Sequence, residues 1–437
     1  VLKAMAESTT VTLPDIESFK KNALHWANQF RVVCLLDSNH YSEQLYKSIE
    51  WILAVDEKKN LGFDENLKHF TDLESFLASK EHTVFGFLSY DLKNEFEKLS
   101  SKNPSGITLP LLYFFEPRYT FEIKGDKLTV NRNYPETFEL IEAINNFPVP
   151  SSDSATSIAL TSRTPRETYL QNINSIRAKI EAGDFYEMNY CNEFYSEGQP
   201  INPVKTFHSL NKKAKAPFSS FFKYYNKYVL CASPERFLKK EGARLISQPI
   251  KGTIKKGATT NENKQLQQKL HQDIKERAEN VMIVDLVRND LARSSKTGSV
   301  QVEELFGVYA FETVNHMIST VVSYATHNNT GQIIQNAFPM GSMTGAPKVE
   351  VMKNIDAFEN FKRGIFSGSI GYISPNGDFD FNVVIRSILY DAESNYVSVP
   401  VGGAITYDSV PENEWDELTL KAKAMMEVLQ AKASHEF

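Results

Sequence analysis

The chain has 437 residues, 41% hydrophobic and 23% charged, enough apolar material to bury a large core in one domain or two. A net charge of −6 without any long basic run excludes a general nucleic-acid binder, and no apolar run approaches the roughly 20 residues needed to span a bilayer. The start, Val1-Leu2-Lys3-Ala4, lacks a signal-peptide pattern, so a cytoplasmic protein with neither membrane nor nucleic acid as partner is expected.

In chain order, Phe147 to Ser154 is rich in turn-forming residues and divides the chain into about one third and two thirds, a lobe over 1–150 and a region over 160–437. Thr164-Pro165-Arg166-Glu167 reads as a capping box with proline at the first helical position. Tyr169, Ile173, Ile176 and Ile180 then follow at helical spacing and Gly183 stops the helix. Tyr186, Met188, Tyr190 and Phe194 alternate with Glu187, Asn189, Cys191 and Glu193, the period of a half-buried strand with a polar second face. Phe221 to Tyr225 and Tyr228 to Ala232 pair around Asn226-Lys227, and Leu245 to Ile250 is a strand ending at Lys251. Asp273 to Ala292 is the longest helix, Val349 to Phe358 a shorter one, and Trp415 to Leu429 the last. Hairpins mixed with separated helices favour an α+β fold over alternating βαβ units. Cys34, Cys191 and Cys231 have no metal-type spacing and read as small core residues.

Pro249-Ile250-Lys251-Gly252-Thr253 holds a lysine in a stiff frame: proline fixes φ upstream and glycine permits close approach of a ligand. Desolvation there would lower the amine's pKa and increase the share of free nucleophile. Glu276 and Glu279 lie three residues apart on one helix face, and Glu414 and Glu417 repeat the spacing on another. Four such carboxylates suit one hard cation, magnesium, although each pair taken alone is also an ordinary solvated face. Glu235, in Ser233-Pro234-Glu235-Arg236-Phe237, offers a turn carboxylate for general acid work, or a plain partner for Arg236. Thr344-Gly345-Ala346-Pro347-Lys348 opens a helix whose free N–H groups would receive an anion, or is simply a helix start. Gly402-Gly403-Ala404 lies beyond the strand Tyr396 to Val401 and admits a ligand close to the backbone, or marks a turn.

In order and spacing these segments resemble the chorismate-utilising enzymes. The likeness runs from about residue 160 to 432. It rests on Ser233 to Phe237, Asp273 to Asn280, Val284 to Leu291, Gly368-Ser369-Ile370-Gly371-Tyr372 and Glu414-Trp415-Asp416-Glu417. Leu35 to Ser38 and Phe85 to Asp91 extend it more weakly into the first third. The resemblance implies a two-lobed αββα sandwich with two large orthogonally packed antiparallel sheets, the linker joining lobes of one fold. It also implies magnesium at Glu276, Glu279, Glu414 and Glu417; Lys421 near the metal end; Arg386 and Tyr372 gripping the enolpyruvyl carboxylate; and His316 beside the reacting ring. Thr253, Thr344, Gly402 and Gly403 would complete the substrate site.

In that family, anthranilate-forming members typically carry alanine between Pro-Ile and Gly-Thr, and members that aminate chorismate without aromatising it carry lysine. Lys251 therefore implies amination at C4 through a covalent adduct at C2, with Glu235 as proton donor. Anthranilate formation is the competing activity, and a non-catalytic regulatory partner of an amidotransferase the competing class. Members that add water carry lysine at the position of Glu187 and amine-adding members usually glutamine, so glutamate departs from both. No cysteine lies in a nucleophile-elbow context, which implies ammonia from solution or from a separate glutamine amidotransferase subunit. Tryptophan near Leu35 to Ser38 is a further ligand the resemblance implies, with Asp37 as a departure there.

Overall fold

Alternation along Val32–Asp37 divides one strand between two cores: Val33 and Leu35 join one apolar cluster, and Val32, Cys34 and Leu36 join the other. This split recurs from strand to strand and sets the layering of the molecule. The computed structural model describes residues 8–41, 46–62, 69–78, 81–131, 137–150 and 157–430, with backbone at 432–433. The first four residues and Ser151 to Ser154 of the linker segment lie outside the described residues.

One arm of the sheet runs through Thr9–Thr12, Lys127–Asn131, Leu112–Lys124, Trp51–Leu61, Val32–Asp37, Phe218–Tyr224, Lys227–Ser233, Ser387–Asp391, Tyr396–Ile405, Glu187–Ser196 and Ala159–Ser162. The other leaves the opposite half of Leu112–Lys124 through Val84–Leu88, Ser369–Ile373, Phe379–Asn382, Arg236–Glu241 and Arg244–Gln248. It ends at Val314–Tyr324, which also pairs with Ile250–Lys255 and Gln301–Ala310. These pairings are antiparallel. The first 150 residues thus hydrogen-bond into both arms, Val32–Asp37 onto Phe218–Tyr224 and Val84–Leu88 onto Ser369–Ile373.

The first cluster lies between the first arm and the helices Ile16–Ala27, Arg166–Glu181, Pro203–Ala214 and Pro411–Val428, which contribute Phe19, Ile173, Phe207 and Leu418. The second fills the space between the arms and reaches Ile274–Ala292 and Thr330–Ala337 through Ile283, Val287 and Ile334. Helices therefore cover both outer faces of paired antiparallel sheets, the expected α+β layering. All three cysteines are buried and unpaired, as core residues should be.

Three local expectations change. Glu187–Ser196 is buried on both faces rather than one. Its apolar face stacks Tyr190 on Tyr169. Its polar face is covered by the ion pair Glu359–Arg363, which bonds to Cys191 N–H and Asn189 C=O. Tyr186, the first residue of the alternating pattern, is 70% exposed and precedes the strand. The capping box does not form: Pro165 stands at the N-cap without a side-chain bond, because the Thr164 hydroxyl is donated to Asn360 Oδ1 at 3.0 Å. The helix Arg166–Glu181 nonetheless buries Tyr169, Ile173 and Ile176.

Candidate functional site

Lys251 lies inside Ile250–Lys255, not at a strand end, and the register against Val314–Tyr324 slips between Ile250 and Thr253. Gly252 takes φ +95°, a left-handed value that glycine adopts without strain. A Cβ there would meet Glu276 Oε2 and Met317 Cβ, each at 3.1 Å, so the bulge lets the long helix settle directly over the lysine. The side chain of Lys251 is 10% exposed and donates to Glu187 Oε1 at 2.7 Å. Burial alone would lower its pKa, as the sequence suggested. The carboxylates of Glu187, Glu279 and Glu235 outweigh burial and hold it above the ordinary lysine value. The resting amine is an ammonium, which corrects the expectation of a free nucleophile.

Glu235, on the turn between Lys227–Ser233 and Arg236–Glu241, is buried and accepts from Ser342 Oγ at 2.6 Å. Burial pushes its pKa up to about 7 against the pull of Ser342 and Lys251, the setting of a general acid. Arg236 does not pair with it; its guanidinium is bound to Asp380. His316 faces Thr253 across the ladder, its Nδ1 2.8 Å from Thr253 Oγ1 and its ring edge-on to Phe311. Burial, reinforced by nearby Arg386, pushes the imidazole down to about 3, so it stays neutral.

Arg386 holds a left-handed φ of +52° just before Ser387–Asp391 and donates to the Lys421 carbonyl at 3.0 Å. Burial lowers its pKa to about 10, which leaves it a cation at neutral pH. Lys421 donates to Glu417 Oε1 at 2.6 Å and to the Gly402 carbonyl at 2.9 Å. A Cβ on Gly402 would stand 2.3 Å from Cys191 Sγ, and one on Gly403 3.6 Å from Lys421 Nζ. Close approach within the sheet, rather than a turn, therefore requires glycine at 402, whereas a Cβ at 403 would make only ordinary contacts with Lys421, Glu414 and Glu417.

The two glutamate pairs converge. Lys275 sits among all four: although burial opposes it, Glu279, Glu414, Glu276 and Glu417 together raise its pKa. Burial raises Glu276, Glu414 and Glu279, the last to about 7, and like-charge neighbours add to each shift. Only Glu417 is lowered, by Lys421. An all-oxygen, mutually repelling set is what a hard divalent cation neutralises, so the donor chemistry fits magnesium. Among the described residues, no three of these groups form a ready-made chelate.

Two predicted binding residues stand elsewhere. Tyr372 does not join Arg386. It faces a small cavity lined by Leu36, Ser38, Ser48, Phe218, Arg236 and Asp380, because the pairing of Ser369–Ile373 with Val84–Leu88 sets that strand against the first lobe. Thr344 is fully buried, and its hydroxyl bonds to the carbonyls of Met340 and Gly341 at 3.2 Å, bracing its own turn. The helix it introduces starts at Lys348, whose ammonium is consumed by Asp290 at 2.6 Å and by two carbonyls. Sequence reasoning did not find Ser342 or the Glu187–Lys251 contact. The period-2 pattern placed Glu187 opposite Met188, but nothing in it showed what the carboxylate would meet.

The profile of the family described as chorismate binding enzyme matches residues 32–427. The chain is 34% identical over 353 residues to aminodeoxychorismate synthase component 1 of Klebsiella aerogenes, covering 80% of this chain and 77% of that one. It is 39% identical over 280 residues to the chloroplastic aminodeoxychorismate synthase of Arabidopsis thaliana, covering 63% of this chain but 30% of that one. The chain thus spans about a third of that plant relative's length. In fold it is similar to anthranilate synthase component I of Streptococcus pneumoniae, with a TM-score of 0.77 at 24% identity over 88% of this chain and 94% of that chain. No described helix is long and apolar enough to cross a membrane. With a family match over most of its length, and with the buried lysine and two glutamate pairs set around one site, the chain belongs to the chorismate-binding enzyme family.

Proposed function

We propose that the protein converts chorismate and ammonia to 4-amino-4-deoxychorismate, the amination step of 4-aminobenzoate synthesis. The observation that carries this is a buried lysine held between Glu187 and a carboxyl poised near neutrality at Glu235. An amine attacking C2 displaces the C4 hydroxyl by an allylic shift, and Glu235 gives that hydroxyl the proton it needs to leave as water. Ammonia then attacks C4 and the lysine departs from C2. Arg386 and Lys421 supply positive charge for a dianionic substrate, and Gly403, whose missing Cβ would face Lys421, Glu414 and Glu417, admits it close to the strand, while the space at Gly402 is taken by Cys191. Neutral His316 presents an uncharged imidazole beside Thr253, unable to protonate substrate. Magnesium held by Glu276, Glu279, Glu414 and Glu417 would neutralise the ring carboxylate.

We assign the ammonia to a separate glutamine amidotransferase. Burial raises the pKa of Cys34, Cys191 and Cys231, so none suits the thiolate chemistry of glutamine hydrolysis. We assign the cavity at Leu36, Ser38 and Tyr372 to the tryptophan implied by resemblance; a tryptophan-dependent rise in Tm, lost in Tyr372→Ala, tests it. The main test is product identification by mass spectrometry from pure protein, chorismate, magnesium and ammonium at mildly alkaline pH. Aminodeoxychorismate without pyruvate is expected; anthranilate with pyruvate overturns the reading.

A further inference from the structure

Lys251 rests as an ammonium, yet the reaction needs its lone pair, so some group must take a proton from Nζ. Glu187 Oε1, at 2.7 Å, is the carboxylate that touches it. The other groups facing the lysine are committed. Glu235 is pushed towards its neutral form and holds the Ser342 hydroxyl. Glu279, Glu276 and Glu417 act on Lys251 from the two helices that carry the metal set.

Glu187 has a second property. Its side chain is 1% exposed, and its Oε2 is buried without a hydrogen-bond partner among the described residues. A carboxylate with one oxygen unsatisfied in a dry site is costly, and protonation removes the charge that makes it so.

We propose that Glu187 is the base that takes the proton from Lys251 before the attack on C2 and returns it when the lysine is released. The inference rests on the reading of Lys251 as nucleophile given above. The protons balance. Transfer from Nζ to Glu187 leaves a neutral amine and a neutral carboxyl. The amine forms the N–C2 bond as the C4–O bond breaks, and Glu235 protonates the departing hydroxide to water. Ammonia then bonds to C4, the C2–N electron pair returns to Lys251, and Glu187 gives its proton back. The new C4 ammonium reprotonates Glu235 as it becomes the product amine. No oxidant or further reactant is involved. The glutamate at this position is thereby neither a water-activating base nor a neutral spectator, but acts on the enzyme's own nucleophile.

The test is rapid-quench intact-mass spectrometry of adduct formation on Lys251, with chorismate and magnesium but no ammonia, in wild type, Glu187→Gln and Glu187→Asp. Expected in Glu187→Gln is slowing by about 10²–10⁴-fold at neutral pH, the range for loss of a general base. Glu279 and Glu235 still oppose the effect of burial on the lysine, so the deficit should narrow as rising pH lets solvent remove the proton. Glu187→Asp should recover most of the rate, and chorismate affinity should change little in either variant. Adduct formation in Glu187→Gln as fast as in wild type at neutral pH overturns the inference and leaves the lysine reading intact. Turnover by wild type without any added mass on Lys251 overturns both.

Discussion

Replacing Glu235 by glutamine should abolish most activity and, above neutral pH, make the protein more stable. The carboxyl moves from an ordinary value of 4.5 to about 7 because it is buried. At about 1.36 kcal/mol per tenfold change in proton affinity, ionising it in the fold costs about 3 kcal/mol more than ionising it in the unfolded chain. The sign follows from proton binding. Between pH 4.5 and 7 the native state binds the proton and the unfolded state has lost it, so stability falls as pH rises and the full cost is present only above 7. Glutamine keeps an acceptor for Ser342 Oγ and removes the charge. Glu235→Gln should therefore gain up to about 3 kcal/mol over wild type at pH 8 and almost nothing at pH 4, read from urea unfolding at both pH values. The same variant should lose about 10²–10⁴-fold in product formation through loss of its general acid. A stability gain equal at both pH values, or undiminished turnover, would refute the assignment of a buried acid at this turn.

Gly252→Ala places a Cβ at φ +95° and 3.1 Å from Glu276 Oε2; it should cost about 1–2 kcal/mol in urea unfolding and lower activity by more than that loss explains. Glu417→Gln should raise the magnesium needed for half-maximal product formation about 10-fold or more and erase any magnesium-induced rise in Tm, and an unchanged requirement would remove Glu417 from the metal set. Asp290→Asn breaks the buried pair with Lys348 and should destabilise by about 3–5 kcal/mol, with a loss below about 1 kcal/mol showing the pair to be dispensable. Gly402→Ala should cost about 1–3 kcal/mol because its Cβ would lie 2.3 Å from Cys191 Sγ, and Cys191→Ala should return part of that in a double-mutant cycle.

What was legible in the sequence is what a single element determines for itself. Glu276 and Glu279, like Glu414 and Glu417, share a helix face because of the helical period. Each helix forms within a residue or a few of the predicted span, and the proline and glycine around Lys251 announce a break in regular strand geometry, although the strand continues past the lysine instead of ending there. Beyond the hairpin around Asn226-Lys227, pairings between elements were not legible, and the corrections come from these or from local turns. Whether Tyr372 faces substrate or the first lobe depends on which strands flank Ser369–Ile373. Whether Thr344 offers its hydroxyl depends on a short turn that uses it. The sign of the Lys251 shift is the sharpest case. Burial was foreseen and its direction was right, but a residue 64 positions earlier brings a carboxylate to 2.7 Å and reverses the outcome. A desolvated lysine with no carboxylate near it would be a free amine at rest and need no base. The same lysine beside Glu187 is charged, and its chemistry must begin with a proton transfer. The departure from glutamine or lysine at position 187 thus changes the first step of the proposed reaction without moving the nucleophile.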